Sequence, residues 1–354
     1  MRTLTDLFRP LSGRLQPLAW AVFVVALTLV PLVTSRLTTF ILGQALVFGV
    51  AAVSLNLLIG FGKMVSFGHA AWWGLGGYTT GIVLQRYTEL GILGALVVSI
   101  VVTVLVSAVV GFFCVRRGTI YFAMLTLAFA QLGMLAILRM RGLTGGEQGL
   151  TGGIPRPAIG PIDVSGMAEY YWFSAVISLL ALAGMAWFLA SPFGLSLRAL
   201  AADPERAAAI GINVKLHRWA TFVVAAAFAS VAGGLHAVSQ SAAFPESLHW
   251  TTSALFVFMG LVGGVDHFVG PLVGAVVYIY LERFASNVLG ARDLVLGALL
   301  LAIVIGLRGG VVGTAVSLWR RGSERYRGRG SGSAQERSDA DSKNSLVSVT
   351  EGAR

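Results

Sequence analysis

The residues in this 354-residue chain that could make or break covalent bonds are few and dispersed. His69, in "SFGHAAWWG", has no second His, Cys or acidic residue beside it at metal-ligand spacing. It can donate a structural hydrogen bond or mark a polar point on a path, and no metal is expected. The sole cysteine, Cys114, lies in an apolar run and can form neither an internal disulfide nor a thiolate cluster. Nowhere does a nucleophile stand with a base and an orienting group, so an enzyme is not expected. There is also no G-x-x-x-x-G-K-[ST] phosphate loop, so the chain itself should bind no nucleotide cofactor and hydrolyse no ATP.

What remains is polar chemistry of docking and passage. "ADPERAAAIGI" (202–212) carries the grammar of a short helix: Asp203 as N-cap, Pro204 at the first position, Glu205 at the positive end and Gly211 as a left-handed stop. A helix of about two turns is marginal in water and must rest on something. Ala207, Ala208 and Ile210 give it a small apolar contact surface, used either against its own protein or against a partner. Asn56, Gln131 and His236 are polar residues inside apolar runs, where such groups usually hydrogen-bond between helices and one or more could face a substrate. Gly74, Gly77 and Gly81 fall near one helix face with Ala70. That face permits close helix packing, or, with Ser66 and His69 near the helix start, borders a translocation path. The near-repeat "GLTGGEQGLTGG" (142–153) contains Gly145, Gly146 and Gly149 and runs into "IPRPAIGP", which predicts an ordered, irregular loop. It is either a linker or a surface for a soluble binding protein at the outer mouth.

The elements that must hold these residues are apolar helices. The chain is 56% hydrophobic and 12% charged, with a mean hydropathy of +0.79 and 44 glycines, a composition suited to lipid. Runs near 17–33, 41–60, 66–84, 91–114, 119–138, 171–190, 219–239, 251–264, 269–286 and 294–307 approach the roughly 20 residues a spanning helix needs. The expectation is an all-α, polytopic transmembrane bundle of about ten spans with a short cytoplasmic coupling helix. Of these runs, 251–264 and 294–307 are short enough to be tilted, interrupted or re-entrant. The first run follows Arg2, Arg9 and Arg14 without a small-x-small cleavage site, so it reads as a retained helix. With the N-terminus inside, basic residues concentrate on inner segments, mainly "CVRR" (114–117), the loop after 190 and the tail. The net charge of +10 is therefore explained by topology and anionic lipid, and nucleic acid is not an expected partner. Residues 1–310 form one membrane domain, with an inner loop at 191–218 and an outer loop at 139–170. Residues 311–354 form a basic tail expected to be disordered in the cytoplasm.

Ion-coupled carriers usually keep ionisable groups at span centres, and this chain has almost none. Lys63 sits near a helix entrance, Glu282 and Arg283 adjoin a helix end, and Arg308 lies at an inner edge. The driving force should therefore come from a separate subunit acting on 196–218.

The pattern Glu205, Ala207, Gly211 resembles the EAA loop of ABC importer permeases, with Arg206 departing from the usual alanine. "LNLLIGFGKMVSFGHAAWWGLGGYTTG" (55–81), "RGTIYFAMLTLAFAQL" (117–132), "LTGGEQGLTGGIPRP" (143–157), "SLRALAADPERAAAIGINV" (196–214) and "MGLVGGVDHFVGPLVGAVV" (259–277) resemble the LivM/LivH branched-chain amino acid permeases. The proline-bearing outer segment favours the LivM side. Lys63 and Gln131 stand where relatives commonly carry an uncharged polar residue and an acid. The resemblance implies a permease in the bacterial inner membrane for branched-chain or related apolar amino acids. It implies coupling through Asp203, Glu205, Ala207, Ala208 and Gly211, and partners comprising ATP-binding subunits, a homologous permease and an extracytoplasmic binding protein. A urea or short-amide permease of the same superfamily and a passive channel are the alternatives. Gly260, Gly263, Gly264, Gly270, Pro271 and Gly274 echo the first Gly-rich block, as in carriers built from repeated halves.

Overall fold

The computed structural model describes residues 34–116, 119–157, 164–286, 292–307, 309–315 and 317. The run at 17–33, Arg308 and most of the tail lie outside the described residues. Each of the other apolar runs coincides with a helix. In chain order these are α1 (Arg36–Asn56, continued by a π-turn over Leu57–Phe61), α2 (His69–Arg86), α3 (Gly91–Cys114), α4 (Thr119–Arg139), the single turn α5 (Arg141–Thr144) and α6 (Met167–Ala190). There follow α7 (Pro192–Ala202), α8 (Pro204–Ala209), α9 (Val214–Gln240), α10 (Trp250–Gly263), α11 (Gly270–Ser286) and α12 (Arg292–Gly306). Among the described residues the only β-pairing is an isolated antiparallel bridge between Leu150 and Ala243. Five of the helices, α1, α3, α4, α6 and α9, are long and apolar enough to cross a membrane. The 14-residue α10 and the 17-residue α11 are shorter.

Inverted amphipathicity organises the bundle. On α3, residues spaced by four (Ala95, Ser99, Thr103, Ser107, Gly111) are buried, whereas Leu93, Val97, Val101, Leu105 and Val109 face outward. Small and hydroxylated side chains inside with branched aliphatics outside is the arrangement lipid favours, because packing, and no gain from leaving water, drives helices together there. Buried residues make up 78% of the apolar window of α1 and 72% of that of α9, against 33% for α3 and 22% for α4. Helices α1, α2 and α9 therefore form the centre, and α3 and α4 lie at the periphery.

Glycine sets how closely the central helices approach. A Cβ on Gly76 would lie 2.3 Å from the Ser230 carbonyl oxygen, and one on Gly233 would lie 1.9 Å from that of Trp73. Helices α2 and α9 thus touch backbone to backbone. The second Gly-rich block behaves likewise: a Cβ on Gly263 would fall 1.7 Å from Gly270 O, and one on Gly274 1.8 Å from Met259 O, which folds α10 tightly onto α11. Residues 310–315 are helical, and Gly310 lies against Gly263 and Gly264, so packing continues past residue 310.

The run expected at 66–84 begins as a helix only at His69. Residues 62–68 are irregular, with Lys63 at φ 51° and paired to Asp266 at 3.8 Å. Between α9 and α10 the chain turns back into the bundle, placing Leu248 against Gly74 of α2.

Candidate coupling surface and pathway

One end of the bundle carries α7 and α8. Ser191 caps α7 by accepting from the Gly194 amide, and Pro192 occupies its first turn. Gly194 is pressed against the end of α6, where a Cβ would lie 2.3 Å from Leu189 O. Arg198 donates to that same carbonyl at 3.0 Å, and the Phe193 ring stacks on His217 of α9 at 4.5 Å. Helix α7 is therefore pinned between α6 and α9.

Helix α8 stands on this platform. The Asp203 Oδ1 accepts from the amides of Glu205 and Arg206, each at 3.1 Å, and Oδ2 pairs with Arg206 Nε at 2.9 Å. Gly211 adopts φ 88°, and a Cβ there would meet nothing within 4 Å, so backbone conformation alone calls for glycine. Ala207 is buried against the protein, whereas Glu205, Ala208 and Ile210 are exposed. The outward apolar surface is thus Ala208, Ala209 and the 76% exposed Ile210, without Ala207. Sequence reasoning missed α7, although Ser191-Pro192 carries the same cap-and-proline signal as Asp203-Pro204.

The polar residues within the bundle serve several contacts. His69 Nε2 and Ser54 Oγ share a fully buried hydrogen bond of 2.8 Å that ties α2 to α1. The Ala70 amide donates to Ser253 Oγ at 2.8 Å, linking α2 to α10. Asn56 Nδ2 donates to His267 O at 3.4 Å, while Asn56 Oδ1 and Ser66 Oγ are buried without a hydrogen-bond partner among the described residues. Gln131 is half-buried on the peripheral α4. Gly74 lies beneath Leu248, and Gly77 faces Gly233 and Ala237. His236 enters an aromatic cluster, its ring centroid 5.0 Å from Trp73 and 5.2 Å from Phe48.

The opposite end carries the 139–157 loop. Gly145, Gly146 and Gly149 all have positive φ, between 62° and 77°, and the loop is ordered by pairing with the chain after α9. The Leu150 and Ile154 amides donate to Ala243 O and Ser241 O at 2.8 and 3.0 Å. Arg156 donates to Val238 O and Ser239 O at 3.1 and 2.8 Å, and so meets the negative end of α9. No group of three His, Cys, Asp or Glu side chains converges among the described residues.

A helical bundle with lipid-adapted outer faces, glycine-seamed central helices and a capped helical projection at one end defines a multi-pass membrane protein of the transport class. The chain belongs to the family described as "Branched-chain amino acid transport system / permease component", whose profile matches residues 37–304. It is 23% identical over 298 residues to the high-affinity branched-chain amino acid transport system permease protein LivM of Escherichia coli (strain K12), covering 78% of this chain and 70% of that protein. The LivM protein of Salmonella typhimurium (strain LT2) matches with the same identity and coverage. The guanosine ABC transporter permease protein NupQ of Bacillus subtilis (strain 168) is 30% identical over 134 residues, covering 36% of this chain and 41% of that protein. No solved structure gives a significant match.

Proposed function

We propose that this chain is one membrane subunit of an ABC importer that moves branched-chain or related apolar amino acids inward, powered by ATP hydrolysis in a separate subunit. The observation that carries this reading is the geometry of α8: a capped helix, fixed on α7, that turns Ala208 and Ile210 outward. That apolar knob suits a cleft on an ATP-binding subunit, and α7 would pass its displacement to α6 and α9. Its end of the bundle is then cytoplasmic, and the 139–157 loop faces the extracytoplasmic binding protein. The proposed subunit sits in a bacterial inner membrane with about ten crossings and pairs with a homologous permease; the family match to branched-chain amino acid permeases supports that reading.

The test is uptake of labelled leucine by the assembled complex in proteoliposomes, with and without ATP, for wild type and Gly211→Val. A β-branched residue at φ 88° distorts the end of α8 by at least ~1–2 kcal/mol. Expected is ATP-dependent uptake that the substitution abolishes together with transport-stimulated ATP hydrolysis. Normal coupled transport by Gly211→Val refutes the role of α8, and wild-type uptake without nucleotide indicates a passive channel. The similarity to a guanosine permease makes nucleosides the competing cargo. Competition of labelled leucine against guanosine and urea decides among the classes.

A further inference from the structure

At the end of the bundle opposite α8, helices α1, α9 and α11 surround a cavity of about 420 Å³. That volume lies within the range of small-molecule sites. Its wall combines two kinds of surface. Phe40, Ile41, Phe48 and Ile279 make an apolar side, while Gln44, Gln240, Glu282 and Arg283 supply polar groups. Glu282 and Arg283 are the only charged residues in α11, and both line this one space. The adjacent acid and base put opposite charges side by side on one wall.

Behind this vestibule lies a second space of about 40 Å³, lined by Trp73, Gly74, Gly77, Gly233 and Phe244. His236 and Gln240 line both spaces and so form their common partition. The His236 ring is held by contact with Trp73 and Phe48, and its buried Nδ1 has no hydrogen-bond partner among the described residues. A ring fixed by packing alone, at the crossing of the two glycine-seamed helices, can turn without breaking a hydrogen bond at that nitrogen.

We propose that the vestibule recognises the zwitterionic head of an apolar amino acid, with Glu282 receiving the ammonium, Arg283 the carboxylate, and His236 with Gln240 closing the way to the inner space. This rests on the function proposed above and assigns its cargo a site within this chain. Arg283 offers the planar donor fork that matches a carboxylate, and Glu282 accepts from the ammonium. Gln44 and Gln240 each add an amide donor and acceptor. The cargo's hydrocarbon lies against Phe40, Phe48 and Ile279. A nucleoside or urea has no use for paired opposite charges.

The test is direct binding of tritiated leucine, by scintillation proximity, to the permease–ATPase complex free of binding protein. Leucinol, which lacks the carboxylate, and isocaproate, which lacks the amine, serve as competitors. Wild type should favour leucine over each analogue at least tenfold. Arg283→Gln should weaken leucine binding about tenfold and lose the discrimination against leucinol alone, and Glu282→Gln should lose that against isocaproate alone. Arg283→Lys should restore part of the affinity. Gln44→Leu, which leaves both charges in place, should also weaken binding and supports the site if a charge variant does not assemble. Leucine transport with unchanged binding and selectivity in these variants overturns the site while leaving the function standing. Failure of the wild-type complex to transport any amino acid overturns the function and the site together.

Discussion

Replacing Gly233 by alanine tests whether the central helices meet as described. The new Cβ would lie 1.9 Å from Trp73 O, 2.7 Å from its carbonyl carbon and 3.0 Å from its Cα, all backbone atoms that no rotamer change can move. Restoring ordinary contact at 3.4 Å requires α2 and α9 to part by about 1.5 Å. If that gap opens over a patch on the order of 100 Å², the void is about 150 Å³ and costs about 3–4 kcal/mol at ~24 cal/mol per Å³. Alanine recovers up to about 1 kcal/mol in helix propensity, leaving a net loss of about 2–3 kcal/mol. Gly77→Ala is the control, because its Cβ meets Gly233 O at 3.2 Å and needs only a few tenths of an ångström of relief. The molecule carries its own reporter: Cys114, its only cysteine, is fully buried, so a thiol-reactive fluorophore lights up as the bundle opens. The midpoint should fall by roughly 5–10 °C for Gly233→Ala and by less than about 3 °C for Gly77→Ala. Equal midpoints for Gly233→Ala and wild type would refute the backbone-to-backbone crossing.

Three further outcomes follow from local contacts. Asp203→Ala removes the acceptor for two amides at the start of α8; at about 1 kcal/mol, hydrogen exchange over 204–209 should quicken roughly fivefold, and Asp203→Asn should restore most of the protection. Ser54→Ala strips the fully buried His69 of its Nε2 partner; the expected loss of about 1–3 kcal/mol lowers the Cys114 labelling midpoint, and an unchanged midpoint argues against that bond. Arg156→Gln removes the cation bonded to the last carbonyls of α9; exchange of the Leu150 and Ile154 amides should rise severalfold, since about 0.3–1 kcal/mol of helix-end interaction is lost.

Features fixed by neighbours in sequence were legible, and features fixed by distant partners were not. The cap at Asp203, the proline start and the left-handed Gly211 are all local, and each is where the residue types place it. Apolar run lengths likewise mark the helices. A break between the runs 41–60 and 66–84 was legible, but its extension to residue 68 was not, although Gly68 beyond Gly60, Gly62 and Lys63 signals it. Which glycines matter most was beyond local pattern. Gly74, Gly77 and Gly81 share a face, yet the tightest contacts between α2 and α9 fall at Gly76 and Gly233, because register between these helices is set across some 150 residues of chain. The inward turn of Ala207 required knowing on which side α8 rests. The vestibule draws on three helices far apart in the chain, so Gln44, Gln240, Glu282 and Arg283 showed no common pattern beforehand.

Helix α9 runs unbroken for 27 residues from the α7 platform to the vestibule wall, about 40 Å at ~1.5 Å per residue. Its tightest contact with a neighbour's backbone, at Gly233, lies about 28 Å from one tip and about 10 Å from the other. A rod pivoting on such an off-centre fulcrum works as a reducing lever: a sideways swing of about 3 Å at its long arm arrives as about 1 Å at Gln240 and about 0.5 Å at His236, with the force raised as the displacement shrinks.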